Sequence, residues 1–231
     1  MHEAGHQGNL GRRLAAEFLG TGLLVTVVVG SGIAAEQLSP NDVGLQLLEN
    51  SLATGLGLAI LILALGPISG AHLNPVVSLA DWFLSRRAGT GLRLRDVLAY
   101  SVVQCGGGIL GALLANAMFS VGTQISTKDR LTGGHLIGEV VATAGLIVLI
   151  FALARTQRNS LAGPAVGAYI ASAYWFTSST SFANPAVTVG RMFSDTFAGI
   201  APGSAPGFLA AQVVGGAIGV ALVLLLYPRK I

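Results

Sequence analysis

Polar residues interrupt this chain so rarely that its hydrophobic pattern resolves into long apolar runs, at approximately 12–34, 46–66, 96–118, 135–154, 161–180 and 206–227. A helix rises about 1.5 Å per residue, so roughly 20 apolar residues cross about 30 Å of hydrocarbon. The pattern predicts six membrane-spanning helices. Two further apolar stretches, His72 to Leu84 and Asn184 to Phe197, are too short to span. Asparagine suits a helix cap and proline the first turn, so these stretches predict half-helices that begin at Asn74-Pro75 and Asn184-Pro185.

The pattern also repeats. Glu17-Phe18-Leu19-Gly20-Thr21 in the first run is answered by Glu139, four residues before Thr143, in the fourth. Asn74-Pro75-Val76 after the second run is answered by Asn184-Pro185-Ala186 after the fifth. Gln104 followed by Gly107, Gly108 and Gly111 matches Gln212 followed by Gly215, Gly216 and Gly219. Each half therefore reads helix, helix, half-helix, helix, over about 12–120 and 131–227. An odd number of spans inverts the second half relative to the first, and inverted repeats place the functional site at their shared midplane. The expected organisation is a tail over 1–11 and one membrane domain over 12–231.

Composition agrees with membrane burial. Of the 231 residues 52% are hydrophobic and only 10% charged, with a mean hydropathy of +0.71, too few charges for a water-soluble surface. The 32 glycines fit close helix–helix approach within a bilayer. A formal charge of +3 does not point to nucleic acid, because the basic residues form no cluster with spaced aromatics. Met1 to Asn9 is polar and Arg12-Arg13 precedes the first run, so that run reads as a retained membrane helix rather than a cleaved leader. The single cysteine, Cys105, lies in an apolar run and reads as a packing residue.

Charge placement sets the expected orientation. Arg12, Arg13, Arg86, Arg87, Arg93, Arg95, Arg155, Arg158, Arg229 and Lys230 fall on the side of both termini, whereas Lys128, Arg130 and Arg191 fall opposite with Glu36, Asp42 and Glu49. Lysine and arginine favour the cytoplasmic side, so both termini are expected there. His2, Glu3 and His6 could suggest a metal site, but on a polar tail they read as solvated. No metal or other cofactor is expected.

Two half-helix N-termini meeting in mid-membrane leave N–H groups that only protein or a wet cavity can satisfy. Together they make the centre hostile to cations and nearly indifferent to neutral molecules. The amides of Asn74 and Asn184 can donate to a solute oxygen there. In this paired arrangement the sequence, from about Arg12 to Tyr227, resembles the aquaporin and glycerol-facilitator superfamily. The resemblance implies an all-α membrane bundle of six spanning helices and two re-entrant half-helices, usually a homotetramer with one pore per subunit. It also implies that Glu17 and Glu139 brace the re-entrant loops. Read from the residues alone, an intramembrane carboxylate could instead mark a proton relay. His72, two residues before Asn74, could line the pore mouth, fix its loop, or do both.

The family's constriction lies outward of the Asn-Pro motifs and in most members includes an arginine directly after the second one. Here that residue is Val187, and family spacing gives Thr54, Ser172 and Ser181 as the other three members of the ring. Hydroxyls and one valine imply an opening wider than a water-selective one, unless Phe182 or Trp175 fills it. Such a ring suits small uncharged polyhydroxylated solutes. It resembles the filter of bacterial channels associated with arsenic resistance, which implies arsenite and glycerol as solutes, with water also passing. The alternatives are a glycerol and water facilitator without a metalloid role, or a coupled transporter. A transporter would ordinarily place carboxylates at the midplane, but the acid nearest to either motif, Asp81, is seven residues into its half-helix. Cys105, His72 and His135 make no catalytic arrangement, so no enzyme is expected. Arg191 carries two readings: charge lent to the outer mouth, or a helix-surface pair with Asp195 four residues on.

Overall fold

The computed structural model describes residues 9–86 and 88–228. His2, Glu3, His6, Arg87, Arg229 and Lys230 lie outside the described residues. The first half comprises α1 (Leu10–Leu38), α2 (Val43–Ser69), α3 (Pro75–Ser85) and α4 (Leu94–Met118). The second comprises α5 (Gly133–Arg155), a 3₁₀ turn (Asn159–Leu161) leading into α6 (Ala162–Phe176), α7 (Pro185–Arg191) and α8 (Ala205–Leu226). Helices α1, α2, α4, α5 and α8 are each long and apolar enough to cross a membrane.

The sixth expected span is shorter than its apolar run. Helix α6 has 15 residues, a rise of about 22 Å. It stops at Phe176 because the following Ser/Thr-rich stretch turns away: Thr177 is extended, and Thr180 and Ser181 have positive φ. The 3₁₀ turn at its other end makes up part of the length. Helix α7 is also shorter than expected, ending at Arg191 rather than Phe197.

Both half-helices begin as their Asn-Pro predicts. Asn74 Oδ1 accepts from Val76 N at 2.9 Å, and Asn184 Oδ1 accepts from Ala186 N at 2.9 Å and Val187 N at 3.3 Å. The proline after each cap has no N–H to leave unsatisfied. The halves pack alike, α1 lying along α4 and α5 along α8. A Cβ on Gly107 or Gly111 would collide with the carbonyls of Phe18 and Gly22 on α1. A Cβ on Gly215 would lie 2.5 Å from Val140 O, and one on Gly219 2.8 Å from Ala144 O, both on α5. Lipid supplies no hydrophobic force between helices, so backbone contact of this kind holds such a bundle together.

A candidate pore and its constriction

The chain enters each half-helix in an expensive conformation. Ala71 and Leu73 before α3, and Ser181 and Ala183 before α7, all have φ between 46 and 49°. A non-glycine residue costs roughly 1–2 kcal/mol in this left-handed region, so the loops must be held from outside. Glu17 holds the first. Its Oε1 accepts from Ser69 Oγ at 2.6 Å and His72 N at 3.0 Å, and its Oε2 from Leu73 N at 2.7 Å and Gln104 Nε2 at 2.8 Å. Glu139 holds the second, accepting from Phe182 N at 2.9 Å, Ala183 N at 2.8 Å and Gln212 Nε2 at 2.6 Å. Both carboxylates have no exposed surface, and these donors engage all four of their oxygens. That is the geometry of a brace rather than of a proton relay.

The two loops also hold each other. Asn74 Nδ2 donates to Ala183 O, and Asn184 Nδ2 donates to Leu73 O, each at 2.7 Å. One N–H of each amide is used in this exchange, leaving the second for a solute. Both asparagines line a narrow cavity of about 60 Å³, room for a short file of water-sized bodies. A second cavity of about 640 Å³ shares His72, Ala71, Val77 and Ile62 with the first, forming a vestibule at one end of it.

The walls of the narrow cavity differ in chemistry. Residues four apart on each long helix supply an apolar side: Leu24 and Val28 on α1, Leu58 and Ile62 on α2, Leu146 and Ile150 on α5, Val166 and Ile170 on α6. Opposite them stand His72, Asn74, Asn184, Ser181 and Arg191. Ser78 Oγ donates to Asn74 O, so its contact with His72 Nδ1 at 3.1 Å makes that nitrogen the donor and leaves Nε2 as an acceptor. His72 thus both lines the cavity and fixes its loop. The equivalent of Ser78 in the second half is Thr188, whose hydroxyl donates to Asn184 O at 2.9 Å and accepts from Gln212.

Comparison with known proteins agrees with this geometry. Residues 6–182 match the model of the family described as major intrinsic protein. The chain belongs to the major intrinsic protein family. It is 47% identical to aquaglyceroporin AqpS of Rhizobium meliloti over 96% of this chain and 93% of that one. It is 34% identical to aquaporin Z of Photorhabdus laumondii over 68% and 71% of the two chains. An X-ray structure of the aquaglyceroporin from Plasmodium falciparum shares the fold, with a TM-score of 0.68, 21% identity and coverage of 93% and 96%. As a member of this family the chain is a passive membrane channel for small neutral solutes and not an enzyme.

The end of this channel away from the vestibule departs from the ring that family spacing implies. Thr54, Ser181 and Val187 line the cavity, but Ser172 does not. Ser172 is exposed, with its Oγ bonded back to Tyr169 O at 2.7 Å. The cavity-facing residues of α6 are Val166, Ile170 and Tyr174, and a position two residues out of that phase points about 200° away. Tyr174 takes the place, its hydroxyl donating to Thr54 Oγ1 at 3.2 Å. The four-residue spacing from Val166 was the sequence signal for it. Phe182 does narrow the opening, whereas Trp175 is exposed and bonds Ser51 at 3.2 Å.

Arg191 forms no pair with Asp195. The helix ends at Arg191, so four residues on is no longer one turn above, and Asp195 instead accepts from Thr127 N at 2.8 Å. That bond, chiefly, holds the Asp195 carboxyl below its ordinary value. Arg191 turns inward: it is only 2% exposed, lines the cavity, and lays its guanidinium 3.4 Å from the centre of the Phe182 ring. Its Nε donates to Ala198 O.

Proposed function

We propose that the channel passes arsenite or related neutral trihydroxides and glycerol, with water also passing. The observation that carries this reading is the pairing of Val187 with Ser181 at the constriction. Val187 brings neither length nor charge to the position after the second Asn-Pro-Ala, and Ser181 Oγ is buried without a protein partner. A buried hydroxyl left unbonded costs about 1–3 kcal/mol, a cost relieved when a solute hydroxyl meets it. Thr54 Oγ1, which accepts from Tyr174, keeps its own hydrogen for the same purpose. The apolar wall opposite suits the carbon edge of a polyol. The relative from Rhizobium meliloti is called an aquaglyceroporin, which supports the polyol part of the reading.

Arg86, Arg93, Arg95, Arg155 and Arg158 at one end of the bundle support cytoplasmic termini, with the wide vestibule on that side, and we propose a plasma-membrane location. Exposed leucines along α1 and α2, such as Leu19, Leu23, Leu52 and Leu56, offer the flanks for a homotetramer.

Flux of arsenite, glycerol and water into proteoliposomes tests the solute assignment. Wild type should carry all three above empty vesicles. Val187→Arg should cut arsenite and glycerol flux about tenfold, equivalent to about 1.4 kcal/mol of barrier, while sparing water. Glycerol flux without arsenite flux would favour a facilitator with no metalloid role; water flux alone would overturn both readings.

A further inference from the structure

Three cations converge on one short segment at the outer end of the channel. Arg191 Nε donates to Ala198 O, Arg130 Nε to Gly199 O at 2.8 Å and Nη2 to Phe197 O at 3.0 Å, and Lys128 Nζ to Phe197 O at 3.0 Å. They also share aromatic faces. Arg191 and Arg130 lie 3.4 and 5.3 Å from the centre of the Phe182 ring, and Lys128 lies 4.9 Å from that of Phe197.

None of the three makes an ion pair among the described residues, and only Lys128 feels surface carboxylates, those of Glu36 and Asp195. The ion pairs among the described residues are Arg13–Asp96 and Arg95–Asp96, on other elements. Asp195 is taken up by Ser126 and Thr127, and Asp129 by Ser204 and Leu131. The nearest buried acid, Glu139, is engaged by Phe182 N, Ala183 N and Gln212. Carbonyl dipoles solvate a guanidinium but do not cancel its charge. Burial pushes Arg130 down to about 10, and burial followed by the charge of Arg130 pushes Lys128 down. In both cases burial is the larger cause, outweighing the acids that act on them.

Arg191 also has donors to spare. Its Nε is the one nitrogen with a protein acceptor among the described residues, although the side chain is 2% exposed and lines the cavity. Ser181, 3% exposed, presents its unbonded hydroxyl to the same cavity. Arg191 and Arg130 are thus buried guanidinium groups with no carboxylate in hydrogen-bond reach among the described residues, an arrangement that favours an anion.

We propose that the outer mouth binds a small monovalent anion, a halide, nitrate or simple carboxylate, on the free Nη groups of Arg191 within the field of Arg130 and Lys128. The site goes beyond the solute assignment, because it needs only the cluster and not the passage of any particular neutral molecule. An anion seated there occupies the approach to the constriction, so neutral-solute flux falls as it fills.

The chloride NMR line width measured on purified channel in detergent reads the site directly. Wild type should give excess broadening that saturates and is displaced by nitrate. Arg191→Gln should weaken the affinity about tenfold, the loss expected for one charge-assisted hydrogen bond, and Arg130→Gln, which removes only part of the field, should weaken it by a smaller factor. Arg86→Gln, at the opposite end of the bundle, should behave as wild type. Should Arg191→Gln fail to fold, Arg130→Gln and Arg191→Lys decide, the latter retaining binding through its charge. Broadening that does not saturate, or is equal in all variants, overturns the site. Glycerol flux from the same preparations separates the two readings: normal flux without a chloride signal removes the anion site alone.

Discussion

At the scale of single residues, the side chains that position the pore differ from those that line it. Glu139 does not line the narrow cavity, yet its three accepted hydrogen bonds keep Ala183 at φ 48° and thereby aim Asn184. Glu139→Gln replaces an acceptor by an NH₂ group that must face Gln212, Phe182 N or Ala183 N. We expect about 1–3 kcal/mol of lost stability, read as a lower unfolding midpoint in detergent. An unchanged midpoint would show that the brace contributes nothing. The motif residues Asn74 and Asn184 were legible because capping is a local property of sequence. Ser172 was misplaced because counting back from Asn184 assumes a fixed path between α6 and α7, and the turns at Thr180 and Ser181 set that path here. Sequence left Arg191 with two readings because the end of α7 is not a local property: the helix stops at Arg191, and the side chain meets Ala198 and Phe182 rather than Asp195.

At the scale of elements, glycine carries the contact between helices. The Gln104 to Gly111 and Gln212 to Gly219 patterns showed that two helices would be equivalent, but not which partners they would meet. The structure pairs them with α1 and α5, backbone against backbone. Gly111→Ala forces a methyl group into the Gly22 carbonyl and should cost about 1–3 kcal/mol, the range for overpacking. Gly122→Ala, where a Cβ meets nothing within 4 Å, is the control and should leave stability unchanged. Equal midpoints for the two variants in thermal unfolding would refute the packing argument. The length of α6 was not legible, because the uncharged Ser/Thr residues from Thr177 to Thr180 do not interrupt the run as a charge would, although the helix stops at Phe176.

At the scale of the whole molecule, the inverted repeat makes two weak signals into one strong one. Either Asn-Pro alone is a common helix start, whereas two of them, each donating a side-chain amide hydrogen bond to the other's loop, build a positive centre with no carboxylate lining the narrow cavity. That absence is the physical basis for passive flow, since coupling needs a site where an ion and the solute meet. The most direct test is radiolabelled glycerol uptake into proteoliposomes with and without an imposed proton or sodium gradient. The account predicts identical rates and a final internal concentration equal to the external one under every gradient; accumulation above that level when a gradient is applied would contradict it.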